Sequence, residues 1–511
     1  MPLPIEANKA RRPPVWATLW LALLPVAYVV SPLALFALGH LRMWPRAAWW
    51  VMGFYALSQQ LPALVAPEPL LASLLAAART LLLLGMMGIG MALHDTQRLK
   101  PLVWGLAVTA LIAVGYTFLR GADLIRLRPE HPYFTTVSLG LVGTVGLWLI
   151  LFTGGRLIWR VPLGALFAGT LLFSGSRGPL LAALVGTVVA LSVRFNKRTL
   201  GGALAAAALL AGGLWWAQQQ DLGAVTRLLS IESSGRDLIW ADTVSVIRSE
   251  PISGVGSYLL GSALSSPDQP CQLWSNRGDP QPCPQWLAPL GNPWRTAHNF
   301  TFQQLAETGP LGLLGLFVLV GTVLAATLTS RDPLSLAVVT GLLTASLTDV
   351  TVLVPSPFFA ELFWMVAGLQ LARLPQVRLT AVSAVLPTLL ALSLPTLVLL
   401  TPAPQSLFPP VALTFLNAPQ RVAGPSYTLY AQFRGPKGVY RVSVHSCAPA
   451  CVTLVTAQMQ IQNSESDVLT LPLQLRRISR QELQLRLYPA ESTFDPRPLA
   501  QKQWIVRGAG P

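Results

Sequence analysis

The sequence predicts an all-α polytopic membrane protein of about twelve or thirteen transmembrane helices, followed by a C-terminal extracytoplasmic domain resembling a β-sandwich. Three observations lead there. Of 511 residues, 52% are hydrophobic and only 11% are charged, where a soluble domain carries about 25% charged residues. Apolar runs of membrane length recur up to Leu400. Beyond a proline-rich stretch the pattern changes to apolar and polar residues in alternation, which is the period of half-buried strands.

The spans read as 15–38, 47–65, 70–93, 102–119, 136–152, 161–173, 180–194, 199–217, 311–328, 334–354, 358–374 and 381–400. A formal net charge of +15 would suggest nucleic acid in a soluble chain, but here Lys and Arg punctuate apolar runs, where topology accounts for them. No nucleic-acid partner is expected. Arg194, Lys197 and Arg198 form the densest basic turn and are placed in the cytoplasm; alternation puts Arg42, Arg98, Arg156, Arg331 and Arg373 there too. The segment 218–297, the turn at Gly175 and everything after Thr401 are then extracytoplasmic. A single first span would leave Lys9, Arg11 and Arg12 on the wrong side. Pro25 and Ser31-Pro32 interrupt that run, so a hairpin of two short helices is expected, retained as an anchor because no signal-peptide cleavage site follows.

The expected organisation is a cytoplasmic tail at 1–14, helices at 15–217, an extracytoplasmic loop at 218–297, helices at 298–401, a proline-rich linker at 402–425 and a β-rich domain at 426–511. Six alternating runs, near 427–433, 438–444, 452–459, 468–473, 483–488 and 503–506, are the expected strands. The four cysteines, Cys271, Cys283, Cys447 and Cys451, all fall in segments placed outside by charge alone. Pairing Cys271 with Cys283 and Cys447 with Cys451 as disulfides suits an oxidising compartment. A zinc site would need more ligands at short spacing, so no metal is expected.

Candidate chemistry gathers around the long loop. His298, followed by Asn299, stands where the loop re-enters apolar sequence; an imidazole can activate a hydroxyl near neutral pH, and the plainer alternative is an interfacial anchor. Asn299 could orient that ring or a substrate hydroxyl. Glu307 is either functional or a counter-ion, since a carboxylate at the membrane boundary needs a partner. Arg177, Arg236, Arg248 and Arg295 carry guanidinium groups that fit phosphate, with lipid headgroup contact as the alternative. Trp240, one helical turn after Arg236, suits a sugar ring or a membrane interface, as do Trp274, Trp286 and Trp294. Gly309 and Gly312 are expected to permit close packing.

Taken together, Ser176-Arg177-Gly178 at a span end, Gly235-Arg236 with Trp240, Pro251-x-x-Gly254-x-Gly256, and His298-Asn299 followed by Gly309-x-x-Gly312 resemble the O-antigen ligase family. That family includes polysaccharide polymerases and protein O-oligosaccharyltransferases. The resemblance covers the membrane region and leaves the β-rich tail outside. It implies a GT-C type glycosyltransferase in the bacterial inner membrane, moving a glycan from undecaprenyl pyrophosphate to an acceptor hydroxyl at the periplasmic face with inversion, without nucleotide, cofactor or metal. His298 would be the base or acceptor-orienting residue, and Arg177 and Arg236 the pyrophosphate clamp. Asn299, Trp240, Arg295, Arg248 and Glu307 would be the substrate-binding candidates, and the acceptor a glycolipid, glycan or protein. A polymerase shares the donor. A transporter, the reading from another class, would show repeats or intramembrane charges.

Overall fold

The computed structural model describes residues 14–120, 129–193, 236–264, 272–273, 281–282, 295–353 and 359–374, and in the C-terminal part 412–417, 421–422, 426–435, 438–447, 451–461, 466, 468–474, 481–489 and 500–508. The chain divides into two compact units. One comprises Met1–Ile231, Val246–Ala263 and Cys271–Leu400; the other comprises Glu232–Ser245, Leu264–Pro270 and Thr401–Pro511.

The first unit is helical. Its opening apolar run is broken: α1 (Val15–Leu23) stops short of Pro25, and a 3₁₀ helix, Tyr28–Met43, follows. Pro25 has no N–H to return to the carbonyl four residues back, which explains the position of the break. Trp20 Nε1 donates to the Val30 carbonyl across it at 2.8 Å. Ser31-Pro32, the other expected interruption, lies inside the 3₁₀ helix.

Then come α2 (Arg46–Ala63), α3 (Pro69–Leu93), α4 (Pro101–Leu119), α5 (Thr136–Phe152), α6 (Leu157–Phe173), α7 (Arg177–Ser192), α8 (Arg236–Ser249), whose residues up to Ser245 belong to the second unit, α9 (Phe300–Ser330), α10 (Pro333–Ser346) and α11 (Phe359–Leu371). Each expected span within the described residues is occupied by helix; the spans at 199–217 and 381–400 lie outside them. Among the described residues, Pro69–Leu93, Thr96–Leu119 and Phe300–Ser330 are long and apolar enough to cross a membrane, and six shorter apolar helices accompany them. Trp50, Phe118, Leu119, Leu157 and Ile158 face outward, each more than half exposed, as suits hydrocarbon and not water. This is a membrane protein.

Two expected boundaries are corrected. The helix expected from 311 begins at Phe300, because Gly309-Pro310 kinks it without ending it. The helix expected to reach 354 stops at Ser346. There the hydroxyls of Ser346 and Thr351 both donate to the Leu342 carbonyl, at 2.8 and 2.9 Å, offering the backbone an alternative to further helix.

Two of the basic turns are joined directly. Gln97, between α3 and α4, donates to the Phe152 carbonyl at 3.0 Å and accepts from Gly154 N–H at 3.1 Å. That makes neighbours of the turns carrying Arg98, Lys100 and Arg156. Arg177 opens α7, and His298 lies two residues before the start of α9.

The first unit also carries a short antiparallel pair, β1 (Gln272–Leu273) and β2 (Gln281–Pro282), and the second unit holds strands β3 (Ala412–Asn417), β4 (Arg421–Val422), β5 (Ser426–Arg434), β6 (Gly438–Cys447), β7 (Cys451–Ile461), β8 (Leu469–Gln474), β9 (Gln481–Pro489) and β10 (Ala500–Gly508). They form two sheets, in the orders β4-β10-β9-β6-β7 and β3-β5-β8. Alternate residues of both, including Leu429, Phe433, Val442, Leu471 and Leu485, share one hydrophobic cluster. The six expected strands are β5 to β10. β3 and β4 were not expected: they fall in the segment 402–425, where prolines masked a strand that pairs antiparallel with β5. Cys447 and Cys451 stand opposite each other in the β6–β7 register, whereas Cys271 and Cys283 lie outside the described residues.

Candidate active site

Two motif segments of the helical unit meet at one turn, residues 347–349. α7 begins at Arg177, and its next residue approaches that turn so closely that a Cβ added at Gly178 would lie 2.7 Å from Thr348 Oγ1. α9 begins after Asn299, whose Oδ1 accepts from the N–H groups of Thr301 and Phe302 at 2.9 and 3.1 Å and whose Nδ2 donates to the Leu347 carbonyl at 3.0 Å. Asn299 is thus an N-cap, a role worth about 0.5–2 kcal/mol, and a tether to the turn. His298 Nδ1 lies 3.5 Å from Asp349 Oδ1, with both side chains about one-fifth exposed (20% and 23%). The His298 backbone has φ 48°, a left-handed conformation that a non-glycine residue adopts only where its surroundings impose it.

Below this lies a second juncture. The Pro251-x-x-Gly254-x-Gly256 loop runs backbone to backbone against the kink of α9. Gly309 has φ 62° and ψ −169°, and the Ala306 carbonyl would meet Pro310, which has no N–H to give. Val255 N–H donates to it instead at 2.9 Å, and Gly256 N–H donates to the Glu307 carbonyl at 2.8 Å. Without them a buried carbonyl would cost about 1–3 kcal/mol. Gly254, at φ 65°, admits no side chain, since a Cβ would lie 2.5 Å from the Glu307 carbonyl carbon. Gly312 serves close packing likewise, its added Cβ falling 1.9 Å from Thr308 Oγ1.

Glu307 itself is 1% exposed and paired with Arg79 of α3, which is 2% exposed. Gln303 Nε2 donates to Glu307 Oε1 at 2.6 Å, Gln304 Nε2 donates to Gln59 Oε1 at 2.6 Å, and the Arg79 guanidinium lies 4.1 Å over the Tyr258 ring. Glu307 is a counter-ion held inside the unit.

Of the other candidates, Arg248 sits half-buried in the last turn of α8, where a cation suits the helix dipole. Arg295 is half-buried three residues before His298. Arg236 and Trp240 lie one turn apart on α8, in the second unit, so the convergence just described concerns Arg177 and His298. Trp274, Trp286 and Trp294 lie outside the described residues. His131, ahead of α5, differs from His298: burial pushes its imidazole down to about 4, and its Nδ1 accepts from the N–H groups of Tyr133 and Phe134 at 3.1 Å each. It is a neutral structural acceptor.

Sequence reasoning missed Asp349 and Arg79. Each lies within an apolar run read as a span, and an ionisable residue in such a run is itself a signal of pairing or function.

No curated protein matches the chain. Residues 162–317 match the family model described as O-Antigen ligase, a stretch that contains Arg177, Arg236, the Pro251-to-Gly256 loop, His298 and the Gly309 kink in order. Over that stretch the chain is similar to the O-antigen ligase family.

Proposed function

We propose that this protein transfers a glycan from undecaprenyl pyrophosphate to an acceptor hydroxyl, with inversion and without a metal ion, at the extracytoplasmic face of the bacterial inner membrane. The family is one of membrane glycosyltransferases of the ligase and polymerase kind. The observation that carries the finer reading is the turn 347–349, against which the starts of α7 and α9 are both held.

His298 takes the proton of the acceptor hydroxyl as that oxygen attacks the anomeric carbon. The bond from that carbon to the pyrophosphate oxygen breaks, and the diphosphate leaves with the electron pair. Arg177, reinforced by the positive end of α7, meets the charge growing on the leaving group; the family resemblance gives Arg236 a phosphate-binding role as well. Asp349 faces Nδ1 and stabilises the imidazolium, leaving Nε2 as the proton-accepting atom. The family resemblance makes Arg248, Arg295 and Trp240 candidates for contact with the donor or acceptor sugars.

The test is purified protein with undecaprenyl-linked glycan and lipid, glycan or protein acceptors. His298→Ala and Arg177→Ala should each fold and lose transfer by at least about a hundredfold. Full transfer by His298→Ala sinks the assignment. Growth of the lipid-linked glycan, in place of its movement to a lipid core, identifies a polymerase.

The same location implies two disulfides, Cys271–Cys283 and Cys447–Cys451. Residues opposite each other in an antiparallel pair have Cα atoms about 4.5–5.5 Å apart, within disulfide range, and Cys447 and Cys451 are such a pair. Alkylation before and after reduction should show two protected pairs; four thiols labelled without reductant would remove the claim.

A further inference from the structure

The structure holds a chain of side chains that ends on the backbone of the candidate base. Gln303 sits one turn into α9, 6% exposed. Its Oε1 accepts from Ala297 N–H at 2.8 Å, and its Nε2 donates to Glu307 Oε1 at 2.6 Å. Glu307 in turn is paired with Arg79. Ala297 is 0% exposed and immediately precedes His298, whose φ of 48° must be maintained by contacts on either side. Asn299 fixes the following side through its cap and its bond to Leu347. Gln303 fixes the preceding side.

We propose that Arg79, Glu307 and Gln303 act as positioning residues for His298. They fix the imidazole by anchoring the peptide before it to a buried ion pair in the helical unit. The proposal rests on the reading of His298 as the proton acceptor. Its logic is that of rigid support: a side chain on a loop keeps its aim only when the backbone beneath it is over-determined. Ala297 N–H is the last donor before the strained residue, and a buried donor must have a partner. A water could fill that need without fixing direction. A glutamine whose far end is held by an ion-paired carboxylate fixes both.

The informative variant is Gln303→Met, which keeps the length of the side chain, removes both hydrogen bonds and introduces no charge. Measured on purified full-length protein with undecaprenyl-linked glycan, its kcat should fall by about a hundredfold for a displacement near 1 Å, with KM for the donor changed by less than about twofold. Carbethoxylation of His298 by diethylpyrocarbonate, followed by peptide mass spectrometry, should change rate by at least about threefold, because the ring is no longer held. Gln303→Glu, which restores an acceptor to Ala297 N–H and, with its carboxyl held protonated by burial beside Glu307, a donor to Glu307, should recover part of the kcat that Gln303→Met loses at the same neutral pH. A folded Gln303→Met protein with wild-type kcat and wild-type His298 modification rate overturns the proposal. Should His298→Ala retain transfer while Gln303→Met alters only the modification rate, the positioning holds and the role given to His298 fails.

Discussion

Two charged pairs lie near the start of α9, and they are built in opposite ways. Arg79 and Glu307 are 2% and 1% exposed, with Gln303 donating to the carboxylate and the guanidinium over Tyr258. His298 and Asp349 are 20% and 23% exposed and 3.5 Å apart, on a turn and on a residue with left-handed backbone. The first pair is sealed, and a guanidinium never gives up its proton, so its charge state is fixed and it can only hold structure. The second is about one-fifth exposed, although the ring nitrogens of His298 are themselves buried, and an imidazole, unlike a guanidinium, is a side chain that can take up or release a proton. The difference is one of chemistry: within a few residues of one helix, one pair holds a permanent charge, and the other joins a carboxylate to a ring whose charge can change.

The largest effect that tests this contrast is on the anchor. Glu307→Ala leaves Arg79 buried without its counter-ion and should cost about 3–5 kcal/mol of stability, read as a fall in thermal unfolding temperature in detergent. Replacing both partners together, Arg79→Met with Glu307→Leu, should recover most of that loss, because apolar side chains of similar volume remove the desolvation cost altogether. Transfer should stay low in the double variant even where stability returns. A Glu307→Ala protein as stable as wild type would end the distinction between the two pairs.

How much of this was legible in the sequence follows from the range over which each feature is determined. α3, α4, α5 and α7 were read nearly to the residue because long apolar runs bounded by Pro, Arg or polar turns define a helix locally, and β5 to β10 because alternation is local too. The start of α9 was placed at 311 because Gly309-Pro310 looks like a boundary. What keeps the helix going through it is Val255 N–H, a donor more than fifty residues earlier in the chain, and no local pattern encodes that bond. Arg177 and His298 were legible as residue types at motif spacing. Their common turn was not, since Asp349 and Thr348 lay inside an apolar run where the Ser346, Thr348 and Thr351 hydroxyls, which end α10, were read as helix interior. β3 was hidden in the same way: the prolines around it suggested linker, and only pairing with β5 makes it a strand.

The smaller effect belongs to the His298–Asp349 pair. Asp349→Asn keeps the side-chain volume and the oxygen that accepts from Val350 N–H at 2.8 Å, and removes only the charge facing His298. Because an exposed pair contributes about 0–1 kcal/mol, unfolding temperature should scarcely move, while kcat should fall roughly tenfold to a hundredfold through loss of imidazolium stabilisation and ring alignment. The split between the two readouts is the point of the measurement. If Asp349→Asn destabilises the protein as much as Glu307→Ala does, both pairs are anchors; if it leaves kcat untouched, Asp349 merely closes the turn. Only unchanged stability with reduced turnover assigns the two pairs to different work.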